Sequence, residues 1–427
     1  MAGGTENLCL SRRHVLAGGA SLSLWGLLPR TASAAGTRDP RLLTIILRGA
    51  LDGIALASPA GDPDLVRLRG ALAIPATGEG AGLALDGFFA LNPAMPHLHQ
   101  LYQKREAMIA HAIATPYRER SHFDGQDVLE SGLAGVGRAD TGWLNRALAH
   151  LDKAGAAGAR ANPKGLAMGA VVPLVMRGDA PVLSWIPKTF GFPLQASTIH
   201  RLMDLYAHTD PALARAFAEG IEIDKVAGLA ATPVAAPGGK PGPVAPPPPA
   251  PPQQQQFRPF VDTAQTAAKF LSSADGPRVG VLSYDGWDTH ANEGAVKGQL
   301  ANRLAGLDAA LHTFAEGMGP AWKDTVVVVV TEFGRTARTN GTDGTDHGTA
   351  TMALVLGGAV KGGRMLVDWP GLADQALHEK RNLKPTRDLR GLFKGVLHDH
   401  LGIPAPVLAD AVFPGSATVK PYDGLLV

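Results

Sequence analysis

Residues 325–335 read TVVVVVTEFGR, an unbroken run of valines between two threonines that leads into charged residues. β-Branched residues favour extended structure, and a run without polar alternation is typical of a strand that is buried on both faces. We therefore expect a central parallel strand here. Glu332 and Arg335 follow it directly, at the carboxyl end where the ligand site of an α/β sheet usually lies.

Apolar segments alternate with helical patterns along the rest of the chain. After a predicted strand at 278–283, apolar residues recur at spacings of three and four, which predicts an amphipathic helix: Leu300, Leu304, Leu307, Leu311 and Phe314. The other predicted strands are 42–47, 108–114, 165–176, 182–186 and 351–356, and further helices are predicted at 92–108 and 124–132. This alternation predicts an α/β fold with helices on both faces of one sheet.

The composition excludes several classes of protein. The 427 residues carry 40 Lys and Arg against 38 Asp and Glu, for a net charge of +2, and 45% of them are hydrophobic. This balance is globular and lacks the basic excess of a nucleic-acid-binding protein. The single cysteine, Cys9, lies in a segment that we expect to be removed. Disulfides, thiolate metal sites and a cysteine nucleophile are thereby excluded from the predicted mature chain.

The first 34 residues have the three parts of a twin-arginine signal peptide. Arg12 and Arg13 are followed by an apolar stretch at 16–28, and an A-x-A pattern at 32–34 gives a cleavage site. The apolar stretch is too short for a transmembrane helix, so no stable membrane anchor is expected after cleavage. These features predict transport by the twin-arginine export machinery and a periplasmic or secreted protein. That route carries folded proteins, often with a cofactor already inserted.

Residues 237–256 contain PPPPAPP followed by QQQQ. This composition favours a solvated, polyproline-type segment without a core of its own. Predicted core segments lie directly on both sides of it. We therefore expect a disordered insertion within one domain, residues 35–427, although a linker between two domains would have the same composition.

Polar residues that can bind metal follow several of the predicted strands. Asp52 follows the first strand, Asp288 and His290 come after the 278–283 strand, and three more stand between the next two strands: Glu332, Asp346 and His347. Any one of them alone is more often a turn former or a surface group, but their joint position at one edge of a sheet argues for a site. Carboxylate and imidazole ligands suit zinc, manganese, iron or similar divalent ions. Two such ions about 4 Å apart can clamp a phosphoryl or sulfuryl group.

A hydroxyl stands at the start of a predicted helix in SHFDGQD, residues 121–127. Ser121 is either the N-cap of that helix or a nucleophile, because the positive end of a helix dipole favours an oxyanion and metal contact would activate the hydroxyl. His122 can be a ligand, a proton donor or a structural residue. Arginines beside Ser121 or at strand ends can hold an anionic group: Arg48, Arg118, Arg120 and Arg335.

The motifs together resemble one bacterial family, known as domain of unknown function 1501. They are the twin-arginine start, LRGALDG at 47–53, SHFDGQD at 121–127, TGWL at 141–144, GWDTH at 286–290, TEFGRT at 331–336, GTDHG at 344–348 and GGAVKGG at 357–363. The resemblance extends over nearly all of the chain beyond the signal, apart from the insertion. The family is grouped with the alkaline phosphatase-like superfamily. This implies a three-layer sandwich with a mostly parallel central sheet and helices on both faces.

The resemblance also implies roles for individual residues. Phosphopentomutases and cofactor-independent phosphoglycerate mutases of this superfamily have a metal-binding Asp after their first strand, which Asp52 resembles. Ser121-His122 is similar to their nucleophile and the histidine close behind it. Their later metal ligands are matched by three residues: Asp288, His290 and His347.

Departures from these relatives bear on the metal count. The relatives have a TADHG motif where this chain has TEFGR, so Glu332-Phe333 replaces an Asp-His pair and one imidazole ligand is missing. The spacing between Asp288 and His290 is also tighter. One metal, or two with Asp346 recruited, would fit this set. The formylglycine signature of sulfatases is absent, which argues against a standard sulfatase.

These observations and the resemblance predict an exported metal-dependent hydrolase. It would use one or two divalent ions, zinc, manganese or similar, and the nucleophile Ser121 to cleave phosphate or sulfate esters or phosphonates. His122 and Arg335 are further candidate catalytic residues. An anionic small molecule or polymer is the expected substrate. The alternative is a non-catalytic exported protein on the same fold that binds metal or a cell-surface polymer.

Overall fold

A nine-stranded sheet runs through the described part of the chain. The computed structural model describes residues 38–137, 139–153, 165–169, 171–185 and 252–427, together with positions 215 and 218. In chain order the strands are β1 (Arg41–Arg48), β2 (Ala57–Ser58), β3 (Leu83–Ala84), β4 (Ala90–Leu91), β5 (Ala107–Ala114), β6 (Gly165–Met168), β7 (Val182–Trp185), β8 (Val279–Asp285), β9 (Thr325–Val330), β10 (Thr351–Leu356), β11 (Arg364–Leu366) and β12 (Arg387–Asp388). The large sheet has the order β11-β5-β10-β9-β1-β8-β6-β7, with β12 also paired to β5. The remaining strands form a small sheet in the order β2-β4-β3.

Helices connect most of these strands. In the described residues they are α1 (Gly53–Leu56), α2 (Leu65–Arg69), α3 (Pro96–Gln103), α4 (His122–Ser131), α5 (Trp143–Lys153), α6 (Pro252–Ser272), α7 (Gln299–Met318), α8 (Leu389–Leu401) and α9 (Ala405–Val407). Single 3-10 turns lie at Gly70–Leu72, Leu174–Met176 and Gly319–Asp324, and a π-helical turn lies at Leu408–Val412.

The valine run of β9 packs against helices on both sides of the sheet. Val327 and Val329 belong to a core cluster with residues of α3, α6 and α7. Val326, Val328 and Val330 belong to a second cluster with residues of α4, α5 and α8. All five side chains are buried. The structure thus confirms the predicted three-layer α/β fold, in which two helix layers cover a mostly parallel sheet.

One strand of the large sheet is reversed, and this reversal positions the site. β1 pairs in parallel with both β8 and β9. Among the described strands of this sheet, only β10 runs antiparallel to its neighbours. The loop 331–350 therefore leaves the sheet at the carboxyl end of β9 and re-enters it at the same edge. The two ends of the loop stay together at this edge, where Arg335 and His347 form an antiparallel bridge.

Two predicted boundaries differ from the structure. The helix predicted at 92–108 is shorter at both ends, because α3 begins at Pro96 and strand β5 already begins at Ala107. The strand predicted at 165–176 ends at Met168, and its last residues form a 3-10 turn.

The two segments predicted to lie outside the core are hardly described. The predicted signal at 1–34 and residues 237–251 of the predicted insertion fall outside the described residues. Residues 252–256 are helical, as the first turn of α6, so the predicted insertion is too long at this end. Within the described residues, no helix combines the length and the apolar character needed to cross a bilayer.

Candidate metal centre

Three histidines and one aspartate meet at the carboxyl edge of the sheet. Asp288 lies between the imidazoles, and its Oδ2 is 3.4 Å from Nε2 of His122. Its Oδ1 is 3.1 Å from Nε2 of His347 and 3.0 Å from Nε2 of His290. His347 Nε2 is in turn 2.9 Å from His122 Nε2 and 3.0 Å from His290 Nε2. We call these four residues the His–Asp cluster.

Each imidazole of the cluster is held from behind through its other nitrogen, Nδ1. The acceptors are Oε1 of Glu332 for His122 at 2.7 Å, Oδ1 of Asp346 for His290 at 3.3 Å, and the carbonyl oxygen of Arg120 for His347 at 2.9 Å. A hydrogen on Nδ1 leaves the Nε2 lone pair available to a cation. Histidines that bind metal almost always donate their other ring N–H to a carboxylate or a carbonyl in this way.

The spacing of the cluster atoms fits a divalent transition metal ion. Zn–N bonds of about 2.0–2.1 Å place the corners of a tetrahedron about 3.3 Å apart. The contacts in the cluster lie between 2.9 and 3.4 Å. The ligating atoms of His122, Asp288 and His347 all lie within 4.8 Å of one another. His290 contacts two of these three residues and can supply a fourth ligand.

The electrostatics of the cluster favour a positive charge. Hydrogen bonds with Asp288 and Glu332 raise the pKa of His122 to about 9, so without a metal this imidazole carries a proton at neutral pH. Burial would raise the pKa of Asp288, but hydrogen bonds from His122, His347 and Arg335 outweigh burial and hold that pKa below its ordinary value. A divalent ion bound here would take the place of the proton on His122.

The loop between β9 and β10 folds back on itself and sets His347 opposite Arg335. The two residues form an antiparallel bridge, and the N–H of Gly348 donates to the carbonyl oxygen of Gly334 at 2.7 Å. A Cβ at Gly348 would lie 2.3 Å from the carbonyl oxygen of Arg335, so only glycine permits this approach. Arg120 has a positive φ of 66°, which turns its carbonyl toward His347.

The Glu332-Phe333 pair acts on His122. Glu332 is buried and accepts from His122 Nδ1, while its Oε1 also accepts from the backbone N–H of Gly49 at 2.9 Å. The ring of Phe333 stacks on the imidazole of His122 with centroids 5.1 Å apart. The pair therefore fixes the position of one histidine of the cluster.

Arg335 is fully buried and holds Asp288. Its Nη1 donates to Oδ1 of Asp288, its Nε donates to Oγ1 of Thr345 at 3.1 Å, and its Nη2 donates to the carbonyl oxygen of Thr345. All three nitrogens of the guanidinium thus donate hydrogen bonds to groups of the protein. Its position indicates that it orients Asp288.

A family model matches residues 104–412, a range that contains the whole His–Asp cluster. The family is described as protein of unknown function (DUF1501). The chain belongs to this family. The match confirms the resemblance that the motifs indicate. No curated protein matches the chain.

Solved structures similar to this DUF1501 chain include members of the alkaline phosphatase superfamily. One is a protein of that superfamily from Vibrio parahaemolyticus, 14% identical with a TM-score of 0.33, where the match covers 75% of this chain and 60% of the other. Another is the phosphonate monoester hydrolase of Agrobacterium radiobacter, 12% identical with a TM-score of 0.35, covering 79% and 74%. A third is a sulfatase from Pseudoalteromonas sp., 12% identical with a TM-score of 0.33, covering 83% and 68%. The chain thus spans 60% of the length of the Vibrio protein.

The predicted ligands of this DUF1501 protein fall into three groups. The structure brings together Asp288, His290 and His347, and His122 joins them. It places Glu332 and Asp346 behind two of the imidazoles, at their Nδ1 atoms.

Asp52 lies apart from the cluster, in a closed group of its own. It caps α1, with Oδ1 accepting from the N–H of Ile54 at 3.0 Å, and it forms a buried ion pair with Arg69. Glu293 contacts the same carboxylate. We call Asp52, Arg69 and Glu293 the Asp52 cluster. Arg69 carries no sequence signal, since it stands in an ordinary short helix 17 residues beyond Asp52.

Ser121 occupies the N-cap position of α4, directly before His122. Its side chain makes no cap hydrogen bond, and its backbone N–H donates to the hydroxyl of Tyr117 at 2.9 Å. The simple capping role is therefore absent. The role of Ser121 as a nucleophile stays a prediction.

Two partly exposed arginines lie beside the cluster. Arg381 donates to the carbonyl oxygen of His347 at 2.9 Å and lies 3.7 Å from Asp346, and Arg120 pairs with Glu379 at 2.6 Å. Arg381 carries no sequence signal, because it stands outside every motif quoted above. Arg118, by contrast, donates to nearby backbone carbonyls.

A cleft of about 940 Å³ lies on one side of α4, and the four residues of the cluster are not part of its lining. Its lining includes Phe123, which is 85% exposed, and the polar side chains of Arg48, Gln126 and Asp285. Gln126 also donates to Glu332 at 3.3 Å, and Arg48 contacts Gln126. The side chains of Gln126 and Glu332 therefore connect the cleft to His122.

Proposed function

We propose that the chain is a metal-dependent hydrolase of a phosphate or sulfate ester, or of a phosphonate. The observation that carries the proposal is the convergence of the Nε2 atoms of His122, His290 and His347 on Asp288, with every Nδ1 atom held from behind. Such a donor set suits zinc, manganese or iron. When bound, the ion would polarise the ester and lower the pKa of the attacking group.

We expect one ion per chain. Glu332 and Asp346 are engaged with imidazole Nδ1 atoms, and Asp52 is neutralised by Arg69. A second ion would have to displace one of these contacts. His122, Asp288 and His347 would hold the ion, and His290, which is 46% exposed, would complete the site or yield its position to substrate.

Ser121 is the proposed nucleophile. Its hydroxyl is not used as a helix cap, it stands at the amino end of α4, and it precedes a ligand of the ion. Ser121 Oγ would form a bond to phosphorus or sulfur as the bond to the ester oxygen breaks, and the leaving alcohol would take up a proton. Water would then cleave the Ser121 ester and restore the hydroxyl.

The charges around the cluster support an anionic substrate. Arg381 and Arg120 are partly exposed and lie beside His347. They can hold an anionic group, whereas Arg335 is buried and would act by orienting Asp288. The cleft on one side of α4 has room for the rest of a small molecule or for one unit of a polymer.

Export completes the proposal. The twin-arginine pattern and the cleavage site within residues 1–34 support transport by the twin-arginine machinery and a periplasmic or secreted location. We expect the ion to be loaded before transport.

One observation favours the alternative of a non-catalytic metal-binding protein. Four side chains already surround the centre of the cluster, and a tetrahedral ion with four protein ligands has no open position. In that case His290 would bind as firmly as the other three residues.

The test is turnover of a panel of aryl phosphate, sulfate and phosphonate esters by the zinc- and manganese-loaded protein. Ser121→Ala should abolish turnover and keep the metal, while His347→Ala should lose both. Metal binding without turnover of any ester would favour the alternative. Unchanged turnover in Ser121→Ala would remove that residue from the reaction.

A further inference from the structure

A line of buried polar side chains leads away from the His–Asp cluster. Arg335, which contacts Asp288, donates from Nε to Oγ1 of Thr345 at 3.1 Å. Thr345 Oγ1 lies 2.7 Å from Oε2 of Glu293, and the side chain of Glu293 lies against Asp52. The residues between Arg335 and Asp52 are at most 1% exposed.

The hydrogen bonds in this line have one fixed direction. A guanidinium only donates, so the hydroxyl of Thr345 accepts from Arg335 and its own hydrogen must go to Glu293. Glu293 Oε1 has no donor of its own among the described residues. Burial, and then the charge of Asp52, raise the pKa of Glu293 well above its ordinary value, so Glu293 is protonated. A proton on Glu293 can be donated to the neighbouring Asp52, whose charge is balanced by Arg69.

Because the direction is fixed, each partner determines the orientation of the next. Thr345 uses both its hydroxyl and its carbonyl on Arg335, which leaves Nη1 of the guanidinium pointing at Asp288. Asp288 then presents Oδ2 to His122 and Oδ1 to the other two histidines. A change at Thr345 would free the guanidinium to rotate, and the carboxylate would rotate with it.

We propose that Thr345 and Glu293 are positioning residues of the metal centre, which fix Arg335 and through it the Asp288 carboxylate. The proposal rests on the proposed function only in assuming that the cluster binds a divalent ion. It assigns a role to two residues that touch neither the ion nor a substrate. Groups that hydrogen-bond a metal ligand directly, as Arg335 does, typically change metal affinity 10–100-fold when they are removed. Thr345 and Glu293 act through Arg335, so a smaller effect is expected.

The test compares variants at Thr345 and Glu293 with the unmodified protein in two measurements. One is the zinc affinity, from competition with a chromophoric chelator, and the other is the visible spectrum of the Co²⁺-loaded protein. Thr345→Val should weaken zinc binding several-fold and shift the Co²⁺ bands, because Nε of Arg335 loses its acceptor, whereas Nη2 keeps the carbonyl oxygen of residue 345. Thr345→Ser should restore both. Glu293→Gln keeps a donor for Asp52 and an acceptor for Thr345, so it should stay close to the original protein, whereas Glu293→Leu should behave like Thr345→Val.

Thr325→Val is the matched control. Thr325 is buried and donates to the carbonyl oxygen of Ala321 at 2.7 Å, but it lies at the amino end of β9, on the opposite edge of the sheet. Thr325→Val should lower the free energy of unfolding but leave the zinc affinity and the Co²⁺ spectrum unchanged. Wild-type affinity and spectrum in both Thr345→Val and Glu293→Leu would overturn the proposal while leaving the metal centre in place. Absence of zinc binding in the unmodified chain would instead overturn the metal centre itself.

Discussion

The His–Asp cluster and the Asp52 cluster lie close together, yet they obtain positive charge in different ways. In the Asp52 cluster all side chains are at most 1% exposed, and the guanidinium of Arg69 supplies the cation. In the His–Asp cluster, Asp288 and His290 are 38% and 46% exposed, and three imidazole Nε2 atoms lie around a carboxylate that also pairs with Arg335. The closed cluster is shielded from solvent, whereas the open cluster can be reached by an ion from solution.

Two histidines report the same contrast. His111 is buried beneath α1, where its Nε2 contacts the carbonyl oxygens of Gly53 and Ala57, and burial lowers its pKa to about 4. Hydrogen bonds with Asp288 and Glu332 raise the pKa of His122 to about 9. One region excludes a further positive charge and the other stabilises it. Both carboxylates have a guanidinium partner, Arg69 for Asp52 and Arg335 for Asp288. The difference teaches that a carboxylate after a strand is a candidate metal ligand where it stays partly exposed among imidazole Nε2 atoms, as Asp288 does.

The largest effect is expected from removing the internal cation. Arg69→Met would leave Asp52 buried without its partner, and breaking a buried ion pair in this way costs about 3–5 kcal/mol. Urea unfolding at pH 7 measures the loss. The control is Arg67→Met on the same helix, whose exposed pairs with Asp64 and Asp374 are screened by solvent and should contribute little. Equal losses in the two variants would show that the Asp52 cluster is not held by Arg69.

Metal removal should destabilise the protein through the open cluster. An ion that binds only the folded state adds about 4 kcal/mol at a concentration 1,000 times its Kd. We expect thermal unfolding to move to higher temperature when zinc is added to the stripped protein, and His347→Ala to abolish the shift. His99→Ala, at a histidine bonded to the carbonyl of Ala84, should keep it. A shift that survives His347→Ala would place the ion elsewhere.

The free energy of unfolding should depend on pH because His111, which is buried next to the Asp52 cluster, has a lowered pKa. The unfolded chain takes up a proton at His111 near pH 6.5, but the folded chain does so only near pH 4. Stability is therefore lost as the pH falls from 6.5 to 4, by roughly 3 kcal/mol for this group alone. His111→Gln, which keeps a donor at the position of Nε2, should reduce this slope. The measurement is the free energy of unfolding in urea at pH 7 and at pH 4.5. The loss between the two pH values should be smaller in His111→Gln than in the unmodified protein.

The smallest of the four effects is expected at Gly125, where α4 meets Phe333. A Cβ at Gly125 would lie 2.9 Å from Cδ1 and Cε1 of Phe333, the ring that stacks on His122. Gly125→Ala should cost about 1–2 kcal/mol by overpacking and weaken zinc binding several-fold, although alanine normally favours a helix. Adding Phe333→Leu should recover part of the lost affinity. A more stable Gly125→Ala protein with unchanged affinity would show that Phe333 does not constrain His122.

The sequence predicts the architecture of this protein better than its electrostatics. The valine run and the amphipathic spacing of α7 predict the sheet and its two helix layers, because a strand that is buried on both faces consists almost entirely of apolar residues. The reversal of β10 leaves no such trace, yet it keeps Arg335 and His347 at one edge. Boundaries such as that at Met168 also depend on tertiary contacts.

The candidate site could be predicted only as a set of residue types. The motifs single out His122, Asp288, His290 and His347, and the structure brings them together, although their metal binding stays a prediction. Whether Asp52 would join them depends on Arg69, and a guanidinium that neutralises a carboxylate cannot be recognised without the fold. For the same reason, the sequence could not distinguish a carboxylate that contacts an ion from one that holds an imidazole.

The most direct test of the account is the number of metal ions bound per chain. The mature protein would be stripped with a chelator, reloaded with zinc, freed of excess metal by gel filtration and measured by elemental analysis beside His347→Ala. We predict one equivalent for the unmodified chain and close to none for the variant. Two equivalents, or one equivalent retained in His347→Ala, would contradict a single ion at the His–Asp cluster, and no zinc after reloading would contradict the metal centre altogether.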